Sequence, residues 1–99
     1  MVEVVIAESA LQDLEEILEY ISIDSPNNAT NFLNEIMQSI SKLEHFKYLG
    51  RRVPSITDES VRELIFGYYR IVYILKNPRL IIVVAVHNTF RDFLPQNIK

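Results

Sequence analysis

The 99-residue chain contains no cysteine, which excludes a disulfide framework and any thiolate metal site. It has two histidines, His45 and His87, too few for a metal centre built on imidazole, and neither a metal nor a cofactor is expected. No stretch approaches the ~18 apolar residues of a membrane-spanning helix, and the first residues lack the pattern of a secretion signal. A cytoplasmic protein away from membranes is the expectation. Glycine is equally sparse, with two in the chain; Gly50 and Gly67 both fall where the apolar pattern breaks. Positive charge is nearly missing from the first half. Residues 1–50 hold two Lys against nine Asp/Glu, and residues 51–99 hold eight Lys/Arg against four Asp/Glu. The net charge of −3 thus hides a front half of −7 and a back half of +4. A split of this kind fits a basic surface that meets something anionic. Acidic helices carried only for solubility account for it equally well.

The run 61–86, VRELIFGYYRIVYILKNPRLIIVVAV, holds three apolar segments rich in Val, Ile, Tyr and Phe. Phe66-Gly67-Tyr68 and Lys76-Asn77-Pro78-Arg79 separate them, so three antiparallel strands joined by hairpins are predicted. Tyr69–Leu75 and Leu80–Val86 are almost continuously apolar, as in central strands covered on both faces. Upstream, Val2–Ala7 reads as a first strand. Ser9 with Gln12 reads as a capping box, opening an amphipathic helix on Leu11, Leu14, Leu18 and Ile21 that ends near Ser22. Ser25-Pro26 is an N-cap followed by proline at the first helical position. A second helix on Ala29, Phe32, Leu33, Ile36, Ile40 and Leu43 then runs to about His45. Residues 46–60 read as a loop packed on the helices through Phe46 and Leu49. The predicted order β-α-α-β-β-β defines a single α+β domain over residues 1–99. In it, an N-terminal antiparallel helical hairpin covers a twisted, mainly antiparallel sheet.

The polar residues that interrupt the strands are Arg62, Glu63, Arg70 and His87. A two-residue loop at Gly67-Tyr68 pairs Ile65 with Arg70 and Glu63 with Val72. Glu63 and Arg70 would then share a face as an ion pair, with Arg62 pointing the other way. A three-residue loop or a bulge would instead bring Arg62 and Arg70 together, since register is a one-residue matter. Both geometries stay open at this point. His87 follows Val83 and Ala85 along one strand face, and reads as a satisfied or capping histidine more readily than as a catalyst.

Several motifs occur in a fixed order: Ala10-Leu11-x-Asp13-Leu14-x-x-Ile17-x-x-Tyr20-Ile21, Ser25-Pro26, Ala29-x-x-Phe32 and Gly50-Arg51-x-Val53-Pro54. They continue with Val61-Arg62-Glu63-Leu64, Tyr69-Arg70-Ile71-Val72-Tyr73 and Val86-His87-x-x-x-Arg91-Asp92. Together they resemble the RelE/ParE toxin superfamily over nearly the whole chain. The resemblance implies a type II toxin with the same α+β fold, held inactive by a cognate antitoxin. It implies one of two activities. RelE-like members cut messenger RNA on the ribosome; ParE-like members lack the catalytic set and poison DNA gyrase.

For the nuclease, Arg62 and Arg70 would hold phosphate, His87 would act as general base on a 2′-hydroxyl, and Arg91, at a position often basic in the superfamily, would complete the set. For the gyrase inhibitor no residue is catalytic, and Arg62, Arg70, Arg91 and the C-terminal tail contact the target. Arg62 lies near the place where RelE-like nucleases carry lysines, but the Val61–Phe66 strand has no lysine pair and Glu63 puts a negative charge there; with a tail without tyrosine and a sequence pI of about 5.3, this favours the gyrase inhibitor. A degenerate binding domain that keeps only the fold is the third reading. The antitoxin is expected on the helical hairpin and the sheet edge, and the assembly is open between a homodimer and a toxin–antitoxin hetero-oligomer.

Overall fold

The strand Leu80–Asn88 (β5) has a neighbour on each side and sets the arrangement of the others. A computed structural model describes residues 1–89. Its other elements are β1 (Glu3–Ile6), α1 (Glu8–Asp24), α2 (Pro26–Ser41), a 3-10 turn at Lys42–Glu44, β2 (Arg51–Arg52), β3 (Val61–Phe66) and β4 (Tyr69–Asn77). The sheet order is β1-β5-β4-β3-β2. β1 runs parallel to β5, and the remaining pairs are antiparallel. This is the α+β architecture predicted, with one strand more: Arg51–Arg52, expected within a loop, pairs with Glu63 and Arg62. Two residues are too few to leave a period-two signal in sequence.

The two helices share Ser25, which closes α1 and caps α2. Its Oγ accepts the Asn28 N–H at 3.2 Å, with Pro26 at the first helical position. α2 stops at Ser41, and the 3-10 turn replaces its predicted extension to His45. The predicted capping box on α1 does not form. The cap is Ala7, which offers no side-chain bond. Ser9 Oγ donates instead to the Val84 carbonyl at 2.6 Å, and Asp13 Oδ2 accepts the Val86 N–H at 2.9 Å.

The reason lies in β5. Val72 pairs with Ala85 and Tyr73 with Val83, so Val84 is an extra, bulged residue. A bulge leaves ladder groups without a strand partner, and two polar side chains of α1 supply one donor and one acceptor there. The bulge also shifts the alternation of faces. Val83 and Val86 are buried under the helices, whereas His87 is exposed. The expectation that Val83, Ala85 and His87 share a face is therefore corrected.

Ala10 and Leu14 of α1, Ile36 and Ile40 of α2, Leu43, Ile71, Tyr73, Ile81, Val83 and Val86 form the core. Each fully buried branched aliphatic side chain contributes about 1.5–3 kcal/mol of transfer free energy. Phe32 sets its ring edge-on to Phe66 and Tyr69, at 5.6 and 5.1 Å between centroids, and ties α2 to the first hairpin. Among the described residues, no helix packs on the opposite face of the sheet. Among the described residues, helices therefore cover one face of β4 and β5, and the predicted covering of the opposite face is not seen. Val72, Ile74 and Ile82 are half-buried there, because neighbouring β-branched side chains on a pleat shield one another.

Candidate functional site

Gly67 adopts φ 58°, and Tyr68 does not share the positive φ. Glycine at the first central position of a two-residue hairpin loop is what a type II′ turn requires. The turn fixes the register: Phe66 pairs with Tyr69, Ile65 with Arg70, Glu63 with Val72 and Arg62 with Tyr73. Of the two geometries left open by the sequence, the structure adopts the one that separates the two arginines. Arg62 lies on the helix-packed face beside buried Tyr73, and Arg70 lies on the open face.

On the open face four polar side chains form a row across the strands. Arg51 is paired with Glu63, and Arg70 with His87. Glu63 is only 2% exposed. Its Oε1 accepts from Arg51 Nε at 2.9 Å, and Oε2 stands 3.7 Å from Arg70 Nη1. The carboxylate therefore lies between two guanidinium groups, one mostly in water and one mostly covered. Two opposite charges beside the carboxylate offset much of the cost of burying it. The cluster carries two formal positive charges against one negative, with the exposed His87 ring at its end. The ion pair of Glu63 and Arg70, one of the two arrangements open in the sequence, is present, and Arg51 joins it.

Arg62 does different work. Its Nη1 donates to the Gly50 carbonyl at 2.9 Å, and its guanidinium stacks 4.9 Å from the centroid of the Tyr48 ring. Tyr73, fully buried, completes the arrangement. Its hydroxyl accepts the Gly50 N–H and donates to the Lys47 carbonyl, both at 2.9 Å. Burial pushes the Tyr73 phenol above its ordinary pKa of 10.0, against the smaller opposing pull of the Gly50 N–H and the Arg62 charge. Gly50 has no room for a side chain. A Cβ there would stand 2.7 Å from both the Glu63 carbonyl oxygen and Tyr73 Cε1. The segment entering β2 is thus clamped from both sides. Phe46 and Leu49, predicted to dock on the helices, are instead 62% and 47% exposed, because polar bonds to β3 and β4 hold this segment in place of apolar contact with α1 and α2.

The structure brings Arg70 and His87 together, adds Arg51, and puts Arg62 elsewhere. Arg91 and the tail lie outside the described residues. Among those residues, no helix is long and apolar enough to cross a membrane.

A helical hairpin on one face of a five-stranded, mostly antiparallel sheet, with a basic row on the other face, defines a small α+β protein of the RelE/ParE-like kind. Residues 4–93 match the family described as the ParE toxin of the type II toxin–antitoxin system, parDE, and the chain belongs to that family. It is similar to a solved chain of the chromosomal ParDE toxin–antitoxin system from P. aeruginosa, with a TM-score of 0.73 and 19% identity, covering 89% of this chain and 96% of that one. It is also similar to a chain of the RelBE2 toxin–antitoxin complex from Mycobacterium tuberculosis, with a TM-score of 0.59 and 14% identity over 88% and 96% of the two chains. A comparison with curated proteins gave no match.

Proposed function

We propose that this toxin is neutralised in the cytoplasm by a cognate antitoxin and, once released, acts by blocking DNA gyrase, with no chemistry of its own. The observation that carries this reading is the placement of Arg62 and Arg70 on opposite sheet faces. Cleavage at a 2′-hydroxyl needs a base and several cations converging on one phosphate. Here Arg62 is engaged with Gly50 and Tyr48, and the Glu63 carboxylate beside Arg70 would repel an incoming phosphate. In the gyrase reading, Arg70 and Arg91 remain candidate target contacts. Arg62 acts from behind, by holding the segment 47–50.

Ribosome-dependent cleavage of messenger RNA is the second reading, supported by one observation: Arg70 and His87 face each other across β4 and β5. One experiment separates the two. The purified toxin is added to gyrase with supercoiled DNA, and separately to translating ribosomes. Stalled gyrase–DNA cleavage complexes with intact message support inhibition. Codon-specific message cuts that disappear in His87→Gln overturn it. If neither assay responds and cells tolerate expression, the degenerate binding domain is the correct reading.

A further inference from the structure

Residues 46–49 form a tight turn, closed by the Leu49 N–H on the Phe46 carbonyl at 2.9 Å. Its composition is wrong for a surface turn. Glycine, proline, asparagine, aspartate and serine dominate turns because each favours the bend locally, and Phe46-Lys47-Tyr48-Leu49 contains none of them. Three of the four are large apolar side chains, and they face water: Phe46 and Tyr48 are each 62% exposed and Leu49 47%.

Apart from the Phe46–Leu49 bond and the Lys47–Tyr48 contact, the turn is held by the rest of the molecule. Tyr73 grips the Lys47 carbonyl and the Gly50 N–H, and Arg62 grips the Gly50 carbonyl. Lys47 Nζ donates to the Pro78 carbonyl at 3.2 Å. Lys47 and Arg62 both lie over the Tyr48 ring, at 5.5 and 4.9 Å from its centroid. Aromatic side chains held rigid before binding lose little entropy on contact, and tyrosine and other aromatics are enriched where interfaces concentrate their energy.

We infer that the Phe46–Leu49 turn is a preformed knob that enters an apolar pocket on the protein this toxin inhibits. Two features define the pocket. Arg51 and Arg52, which follow the turn in sequence, are paired with Glu63 at 2.9 Å and with exposed Glu59 at 3.6 Å, so the positive charge beside the turn comes from Lys47 and Arg62, both over the Tyr48 ring. The receiving rim is therefore acidic. Exposed anchors on a fixed turn suit a folded partner with a concave site. An antitoxin segment that folds on binding needs a groove instead. The target's identity as gyrase rests on the reading proposed above; the role of the turn does not.

The test is the double variant Phe46→Ala/Leu49→Ala, together with the charge reversal Lys47→Glu. Both side chains of the double variant are exposed, so its thermal melt should match that of the wild type. Growth arrest on expression, gyrase inhibition and affinity for the cognate antitoxin are measured for each. The expected result is a loss of about tenfold or more in toxic potency, as for truncated interface anchors, with antitoxin affinity unchanged. Lys47→Glu should weaken inhibition most at low salt. If the double variant folds and arrests growth as the wild type does, or if it loses antitoxin affinity while still arresting growth, the inference is overturned. A wild type that arrests growth without touching gyrase, and loses that effect in the double variant, refutes gyrase as target and upholds the knob. A wild type without any effect on growth overturns both.

Discussion

Asp13, on the first helix, accepts the backbone N–H of Val86 at 2.9 Å, across 73 positions of chain. With Ser9 on the Val84 carbonyl, it satisfies the groups that the bulge in β5 withdraws from the ladder. Asp13→Ala leaves the Val86 N–H without this acceptor, and a part-buried, unsatisfied donor costs about 1–3 kcal/mol. Asp13→Asn keeps an acceptor oxygen and should lose less. Urea denaturation of both variants against wild type checks the order, and equal losses would show that only the charge matters.

Tyr73→Phe removes the hydroxyl that bonds to Gly50 and Lys47 while preserving the packed ring. A loss of about 1–3 kcal/mol is expected, with faster amide exchange at Gly50. The pH dependence has a definite sign. Because burial raises the phenol pKa above 10.0, the folded state favours the neutral form. That contribution is complete below the ordinary pKa and falls away as pH rises through the folded value. Wild-type stability should therefore decline in the alkaline range above about pH 10, with a smaller slope in Tyr73→Phe.

The two glycines should respond to alanine for different reasons. Gly50→Ala drives a methyl into the Glu63 backbone oxygen and the buried Tyr73 ring, an overpacking defect of about 1–3 kcal/mol. Gly67→Ala meets nothing within 4 Å but must hold φ at 58°, a strain of about 1–2 kcal/mol. Asn at position 67 should recover part of that loss, since it tolerates positive φ. At position 50 it should be worse than Ala. Thermal melts of the four variants decide this.

Glu63→Ala unbalances two arginines at once. Breaking a fully buried pair costs about 3–5 kcal/mol, but Arg51 is 64% exposed and can rehydrate, so roughly 1–3 kcal/mol is expected here. Removing the carboxylate also leaves the row from Arg51 to His87 uniformly basic. The variant should be retained more strongly on heparin than wild type, and unchanged retention would show that the carboxylate does not mask these charges.

Much of this fold was legible because its signals are local. Ser25-Pro26 marks the helix junction, and Gly67 marks a turn but not its length, which is what sets the side chains that share a face. The bulge was not legible. In Ile81-Ile82-Val83-Val84-Ala85-Val86 every residue is apolar, so no alternation records the added one, and the positions of Val83 and His87 were misjudged for that reason. Ser9 misled in a related way. A hydroxyl near a helix start normally caps its own helix, and here it serves a strand distant in sequence. The candidate site was read in part. The Glu63–Arg70 pair is one of two arrangements that the sequence allows, decided by the loop at Gly67; Arg51 enters through a two-residue strand, and the exposure of Phe46 and Leu49 depends on Tyr73 and Arg62.

The surplus residue at Val84 divides β5 into two stretches, each with its own odd-and-even count. A codon lost there would straighten the strand and still leave Val83 and Val86 inward and His87 beside Arg70. A codon gained between Ala85 and His87 would exchange inside for outside over everything that follows. Small insertions and deletions late in this strand therefore have unequal consequences, and one of them would turn His87 away from Arg70 without substituting a single side chain.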